Sequence, residues 1–171
     1  MPLIGHAISP GHGGNVGVNP FVIINEPTSG QITEFDLDQV KYNKGEMSIE
    51  AVVLTGTDTI VIELQRDSDD VWEQGATSYR IKRLVASAKT NPVDTSSMTL
   101  DATGQGPINA VVTISSAGLA VPTMIEFMMW DTSSKVSCCI MTNNDIHKTV
   151  RFRVLGAETF VSGTFILVLS E

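Results

Sequence analysis

The chain has 171 residues and a mass of 18.4 kDa, which fits one domain or one domain with an extended arm. It has 19 acidic and 11 basic residues, which argues against a nucleic-acid partner because phosphate binding needs clustered Lys and Arg. Charged residues make up only 18%, so disorder is not expected. No apolar run approaches the roughly 18 residues of a membrane span. The first residues lack a basic segment followed by an apolar one, so a secretory signal is not expected.

The first 30 residues differ from the rest in composition. Residues 11–17 are glycine-rich, and one short apolar run, Phe21-Val22-Ile23-Ile24, follows them. Such a segment cannot build a core of its own, so residues 1–30 are predicted to be an extended arm or an edge strand laid on a neighbour. The alternative is a disordered leader. Residues 31–171 are predicted to form the folded domain.

Short strands are predicted from residue 31 onward. In residues 58–65 the apolar residues Ile60, Ile62 and Leu64 share one face, with Glu63 on the mostly polar other face. A second apolar face is formed by Ile108, Ala110, Val112 and Ile114. Residues 34–45 fit either a short helix or a strand and loop. Because Val, Ile and Thr dominate the ordered runs, helices are otherwise disfavoured.

A hairpin is predicted between residues 136–140 and 150–154, with Asn143-Asn144-Asp145 as its turn. In that register Arg151 and Arg153 face outward, and a slip of one residue would bury both. The adjacent Cys138 and Cys139 point to opposite faces of a strand. They are predicted to be reduced thiols, as in a reducing cytoplasm.

The last strand, residues 164–169, is apolar on both faces, which is typical of a central strand covered on both sides. One of those covers is predicted to be another subunit. Met and Trp residues lie on both faces of the strand at 124–130. Core packing is the base expectation for them, and a subunit interface is the second interpretation, because one core does not need apolar residues on both faces. Together these patterns predict an all-β fold, an antiparallel two-sheet sandwich of jelly-roll type.

No catalytic signature emerges. The glycine stretch lacks the parts of a phosphate loop, and the acidic residues 67–73 lack calcium-loop spacing and are interpreted as a solvated turn. His6, His12 and His147 do not form a zinc pattern. Cys139 and His147 lack the orienting group and oxyanion donor of a nucleophilic site. Paired carboxylates remain open, since separation in space is not visible from sequence. We therefore expect no enzyme, no metal and no cofactor.

Two segments resemble small β-sandwich proteins of tailed-bacteriophage virions. They are residues 58–68, a strand running into an acidic turn, and Ser162-Gly163-Thr164-Phe165-Ile166-Leu167. Phage head-decoration (cement) and tail-fibre modules often close with a strand of this Gly-Thr-Phe-apolar kind. The chain lacks the aromatic-glycine pair that commonly follows it. The resemblance implies a virion component with no catalytic residues.

These observations predict a capsid decoration or cement protein of a phage virion, assembled in the host cytoplasm. It would associate as a homotrimer and bury apolar surface against the major capsid protein or another virion protein, with no nucleic-acid or membrane partner. The predicted interface residues come from the arm, the Met-rich strand and the last strand: Phe21, Val22, Ile23, Ile24, Met124, Met128, Trp130, Phe165 and Leu167.

Two other function classes stay open. A tail-fibre or lectin-like module that binds cell-surface glycans would expose an aromatic side chain, namely Trp72, Tyr79 or Trp130. A glycan lyase or hydrolase on a β-sandwich is the third class, although no converging acid, base or metal set can be named for it.

Overall fold

The computed structural model describes residues 21–25, 30–37, 44–56, 59–85, 88–89, 93–100, 107–129 and 135–170. Residues 1–20, most of the predicted arm, and Trp130 lie outside this part of the chain. The described residues form thirteen strands: β1 Phe21–Asn25, β2 Ile32–Asp36, β3 Lys44–Leu54, β4 Ile60–Arg66, β5 Tyr79–Val85, β6 Ala88–Lys89, β7 Val93–Thr95, β8 Met98–Leu100, β9 Ile108–Ser115, β10 Met124–Met129, β11 Lys135–Met141, β12 His147–Val154 and β13 Phe160–Ser170.

The strands form two antiparallel sheets. The larger, sheet A, has the order β1-β13-β3-β9-β10-β11-β5-β6, with β7 also paired to β5. The smaller, sheet B, has the order β2-β12-β4-β8. In both sheets an N-terminal strand pairs with one of the last two strands. The predicted all-β, antiparallel two-sheet sandwich is therefore confirmed. No helix long and apolar enough to span a bilayer occurs in the described ranges.

Period-two alternation places the core between the sheets. Ile60, Ile62 and Leu64 of β4 are fully buried, and the predicted inner face of β9 is buried as well. Four aromatic rings meet where the sheets face each other, with Phe165 of β13 in contact with all three others: Phe35, Phe152 and Phe160. The strand pattern read from the sequence thus identifies the inner faces of β4 and β9, whereas the cluster around Phe165 was not predicted as core.

The predicted hairpin between β11 and β12 is wrong. Strand β11 pairs with β10 and β5 in sheet A, whereas β12 pairs with β2 and β4 in sheet B. Residues 142–146 cross from one sheet to the other. Alternation specifies which side chains of a strand face the core, but it does not specify the partner strand. The outward orientation of Arg151 and Arg153 is nevertheless confirmed, on the outer face of sheet B.

Strands β3 and β13 are irregular where they cross the middle of sheet A. The register between them shifts around Ser162, and β3 also shifts against β9 between Ile49 and Val52. Ala51 and Gly163 have positive φ values of 51° and 116° at these bulges. Bulges of this kind increase the local twist of a sheet.

The region with two open sequence interpretations, residues 34–45, is strand at both ends. It includes the end of β2 and the start of β3, and Gly45 lies within β3. Phe21–Asn25 of the predicted arm forms β1 and pairs with β13 of the same chain. The boundary between an arm and a separate domain at residue 30 stays a prediction, because residues 1–20 and 26–29 lie outside the described part.

Candidate functional site: the outer face of sheet A

The outer face of sheet A carries two side-chain rows that run across five strands. One row is mainly apolar and consists of Ile24, Ile166, Ser48, Val111 and Met128. The neighbouring row begins apolar and becomes acidic: Val22, Val168, Glu46, Thr113 and Glu126. Because neighbouring strands are about 4.8 Å apart, each row is roughly 19 Å long.

Four apolar side chains are adjacent at the β1 end of these rows. We call Val22, Ile24, Ile166 and Val168 the β1–β13 patch. Ile24 is 61% exposed and Val22 is 40% exposed, while the two β13 residues are half-buried. Single exposed apolar side chains are ordinary on protein surfaces, but a contiguous group of them marks an interaction surface.

The strand that carries the patch is also an unprotected sheet edge. Strand β1 is terminal in sheet A, and no strand within the described ranges pairs with its other edge. It contains no charged residue. Strand β2, the terminal strand of sheet B, carries the exposed Glu34 and Asp36. Charges on an edge strand discourage pairing with another chain, so β2 is protected and β1 is not.

Charge separates the patch from the rest of the face. Glu46, Glu50 and Glu126 are exposed on strands β3 and β10. Lys44 lies 3.9 Å from Glu46, and both side chains are about half-exposed. The patch itself holds no charge. A partner that covered only the patch would therefore desolvate no ionised group, which is the expensive step in burying a surface.

The predicted interface residues fall into different environments. Val22, Ile24 and Met128 are exposed on the outer face, and Met124 is half-buried there. Phe21 and Ile23 face the other side of β1, where Phe21 is exposed and Ile23 packs against the core. Trp130 lies outside the described residues.

Two predicted interface residues need correction. Phe165 and Leu167 are both 0% exposed and belong to the core of the chain itself, so they offer no surface to a partner. Strand β13 is apolar on both faces, and the prediction assigned its inward face to the subunit interface. The outward residues are Ile166 and Val168, which sequence reasoning missed. Alternation separates the two faces of β13, but it does not say which of them is inward.

The outer face of sheet B contains a charged network. Glu63, only 1% exposed, accepts hydrogen bonds from Arg151 Nε at 2.5 Å and from Arg153 Nη2 at 2.7 Å. Gln74 Nε2 donates a third, at 2.9 Å. The Arg151 guanidinium also lies 3.9 Å from the centre of the Trp72 ring. The face of β4 that was predicted to be mostly polar is therefore covered by side chains from β12 and the following loop.

The charged network around Glu63 makes the free energy of unfolding depend on pH. Burial alone raises the pKa of Glu63, but hydrogen bonds from Arg153, Arg151 and Gln74 outweigh it and the pKa is lowered. A depressed carboxyl pKa stabilises the folded state fully above the unfolded value of about 4.3 and progressively less below it. We expect the free energy of unfolding to fall as the pH drops below about 4.3, measured by urea titration at a series of pH values.

The Glu63→Gln variant isolates this contribution, since it should lower stability at neutral pH and flatten the acid slope. The matched control is Glu34→Gln, which removes an exposed carboxylate opposite Arg151 on β2. An acid slope that Glu63→Gln leaves as steep as in the wild type would contradict the assignment.

The aromatic residues predicted for glycan binding are not all available. Tyr79 is 0% exposed, and its hydroxyl accepts a hydrogen bond from the Leu64 backbone N–H at 3.0 Å. Its predicted exposure is therefore wrong. Trp72 is half-buried beneath Arg151. Of the two of these aromatic residues that the structure describes, only Trp72 has an exposed surface.

The metal-ligating residue types, His147 and the two cysteines are the remaining groups with possible chemistry. Within the described ranges, no group of three or more His, Cys, Asp or Glu side chains is placed to hold a metal ion. His147 is buried and its Nδ1 lies 2.9 Å from Thr123 Oγ1. Cys138 and Cys139 lie in β11, opposite Lys82 and Ile81 of β5, and the prediction of reduced thiols stays a prediction.

No protein-family model matches this chain, and no curated protein matches it. Among solved structures, it is similar to peanut lectin with a 9-residue peptide at 6% identity and a TM-score of 0.34, covering 100% of both chains. A human SPRY domain has 16% identity and a TM-score of 0.28, over 90% of this chain and 86% of that one. The lectin UEA-II with galactose has 8% identity and a TM-score of 0.32, over 99% and 86%. All three TM-scores are below 0.5, so these likenesses do not bear on function.

Proposed function

We propose that this protein is a non-enzymatic structural subunit of a tailed-phage virion, a capsid decoration or cement protein that associates as a homotrimer. The observation that carries the proposal is the β1–β13 patch, an uncharged apolar surface on an unprotected edge of sheet A. Covering such a surface yields roughly 25 cal/mol per Å² before the costs of association are subtracted.

The occupant of the patch is a second copy of this chain. The remainder of the outer face carries Glu46 and Glu126, and the whole chain has a formal net charge of −8. Two copies that met across the full face would bring carboxylates together, which is costly. Three copies whose patches meet around a threefold axis would bury only Val and Ile side chains there.

The virion assignment rests on the resemblance of residues 58–68 and 162–167 to phage decoration and tail-fibre proteins. Most of the first segment corresponds to β4, and the whole of the second lies in β13. Each of these strands pairs on both edges. A decoration subunit is attached to the outside of a shell, away from packaged DNA. The acidic surface of this chain suits that position, because it would repel nucleic acid.

We expect the wild-type protein to have a solution mass three times that of the 18.4 kDa chain, measured by size-exclusion chromatography with light scattering at micromolar concentration. The double variant Val22→Lys/Ile24→Lys should be monomeric, because two ammonium groups would have to be desolvated at the patch. It should remain folded, since both side chains are exposed.

Two matched controls carry the same chemical change elsewhere. The control variants are Val161→Lys on β13 and Ile32→Lys on β2. The Val161 and Ile32 side chains are each 47% exposed. Both variants should keep the wild-type mass. A monomeric wild type, or loss of association in the controls as well, would refute the proposed surface.

Deleting residues 1–20 tests whether those residues, and not a second copy, occupy the edge. Co-sedimentation with empty phage heads tests attachment.

Glycan binding is the second candidate function, and the Trp72 surface is what favours it. The indole lies against the Arg151 guanidinium, so an apolar face and hydrogen-bond donors occur together, the combination that ligand sites use. Quenching of tryptophan fluorescence by a glycan in the wild type, lost in Trp72→Phe, would support this candidate. Silence on a glycan array would count against it.

A further inference from the structure

A buried polar cluster lies at one end of the sandwich, away from both outer faces. It contains Glu73 from the loop after β4, Arg66 from the end of β4, Asn143 from the crossing between β11 and β12, and His147 from the start of β12. His147 is 0% exposed and Glu73 is 6% exposed. None of these side chains belongs to the proposed assembly surface.

Most polar atoms of the cluster have partners that fix its geometry. Glu73 Oε2 accepts from Ser78 Oγ at 3.0 Å, and Glu73 Oε1 accepts from Asn143 Nδ2 at 2.7 Å. Arg66 Nη2 pairs with Asp69 at 2.9 Å. The His147 backbone N–H donates to the Ala117 carbonyl at 2.8 Å. Because Glu73 must receive the amide N–H of Asn143, the amide oxygen of Asn143 points away from that carboxylate.

Three buried atoms in the same place have no protein partner. They are Arg66 Nε, Asn143 Oδ1 and His147 Nε2. Glu73 Oε1 lies 3.7 Å from Arg66 Nε and 3.7 Å from His147 Nε2, too far for a direct hydrogen bond. Leaving such an atom buried without a hydrogen-bond partner destabilises the folded state. Two of these atoms lie 3.7 Å from Glu73 Oε1, and the third belongs to the amide group that donates to the same oxygen, so together they point to a bound molecule.

The chemistry of the surrounding groups selects the molecule. Glu73, Asp69 and Asp145 surround Arg66, which disfavours an anion. Arg66 Nε–H is an obligate donor, and the described residues hold no metal-ligating group of three, which disfavours a cation. The site offers one obligate N–H donor, Arg66 Nε, two oxygen acceptors, and His147 Nε2, which can take either role. Because the two oxygens would take both hydrogens of a water molecule, His147 Nε2 is left as the second donor. A neutral molecule with two donors and two acceptors matches it, and water is the smallest.

We propose that this cluster binds one ordered water molecule, which accepts hydrogen bonds from Arg66 Nε and His147 Nε2 and donates to Asn143 Oδ1 and Glu73 Oε1. This assignment determines the tautomer of His147. The ring is protonated on Nε2, and its bare Nδ1 accepts a hydrogen bond from Thr123 Oγ1, 2.9 Å away. A neutral ring agrees with burial, which lowers the pKa of His147 although Glu73 and Asp145 act in the opposite direction.

The water would link the two sheets. Thr123 immediately precedes β10 of sheet A, whereas His147 begins β12 of sheet B. The hydrogen-bonded path therefore runs from Thr123 through His147 and the water to Glu73 and Arg66. A network of this kind, once every member has a partner, favours one arrangement of the elements that contribute to it.

The test is a nuclear magnetic resonance measurement at neutral pH on 15N-labelled protein. The double variant His6→Gln/His12→Gln leaves His147 as the only one of three histidines, so its ring signals need no further assignment. We expect the Nε2–H tautomer, with cross-relaxation between that proton and a long-lived water. An Nδ1–H tautomer, an imidazolium ring, or an Nε2–H proton without a water contact would each overturn the proposal.

A variant pair tests the acceptor. Asn143→Ala removes one of the two water acceptors and should abolish the water cross-peak. Asn144→Ala changes the exposed neighbouring residue and should leave the cross-peak intact. If Asn143→Ala does not fold, the measurement on the His147-only protein still decides. A cross-peak that persists unchanged in a folded Asn143→Ala protein would contradict the assigned geometry.

Discussion

Gly163→Ala is expected to lower the free energy of unfolding by about 4 kcal/mol, from backbone strain and overpacking together. Gly163 has a φ of +116°, which side chains with a Cβ rarely adopt. A Cβ built there would lie 2.8 Å from the backbone nitrogen of Val52 and closer still to its Cα. Because the obstacle is backbone and not a side-chain tip, it cannot rotate away. Urea titration followed by far-UV circular dichroism measures the loss.

Gly30→Ala is the matched control for this prediction. Gly30 also has a positive φ, +99°, but nothing lies within 4 Å of an added Cβ. Its variant carries the conformational strain without the collision, so its loss should be about 1–2 kcal/mol. Equal losses in the two variants would contradict the collision between β13 and the bulge in β3.

Phe165→Ala is expected to cost about 3–5 kcal/mol, the usual range for removing a buried phenylalanine. The ring is fully buried, and its centre lies 5.2 Å from that of Phe152 and 5.7 Å from that of Phe160. Truncation leaves a cavity lined by aromatic rings that belong to both sheets. The measurement is again the free energy of unfolding, combined with the solution mass.

The neighbouring variant Ile166→Ala distinguishes core from interface. Ile166 is half-buried on the outer face, so its truncation should cost only about 1 kcal/mol of folding stability while weakening association through the β1–β13 patch. The opposite pattern, an intact unfolding midpoint but lower solution mass for Phe165→Ala, would contradict the placement of Phe165 in the core.

Local alternation was enough to predict the strands and most of the core. Ile60, Ile62 and Leu64 are buried as the period-two pattern indicates, and so is the inner face of β9. The pattern is local, because successive side chains on a strand always alternate between faces. The alternation is therefore the same whichever strands become the partners, and it was sufficient to predict the fold class.

Pairing could not be predicted in the same way. The segments around Cys138 and Phe152 have compatible alternation, yet they lie in different sheets. Residues that are close in sequence usually pair, but five residues between them are enough to cross the sandwich. One partner of β12 is β2, more than one hundred positions earlier, and nothing local in either segment identifies the other.

The candidate site was predicted in part, for a related reason. Val22 and Ile24 were identified because an apolar run in a glycine-rich segment has no core of its own to enter. On β13 both faces are apolar, so composition cannot say which is inward. The answer comes from the register with β3, where Leu167 lies opposite the buried Met47. The buried cluster around Glu73 was interpreted as a solvated turn, since the loop alone does not show what covers it.

The position of β13 between β1 and β3 has a consequence for biosynthesis. Strand β1 cannot pair with β13 until residue 170 has left the ribosome. Strand β2 cannot pair in sheet B until β12 has emerged. The nascent chain therefore carries β1 and β2 without their partner strands until β13 and β12 have emerged. Topologies with such distant pairings fold in roughly milliseconds to seconds, so the newly made polypeptide is open to aggregation at that stage.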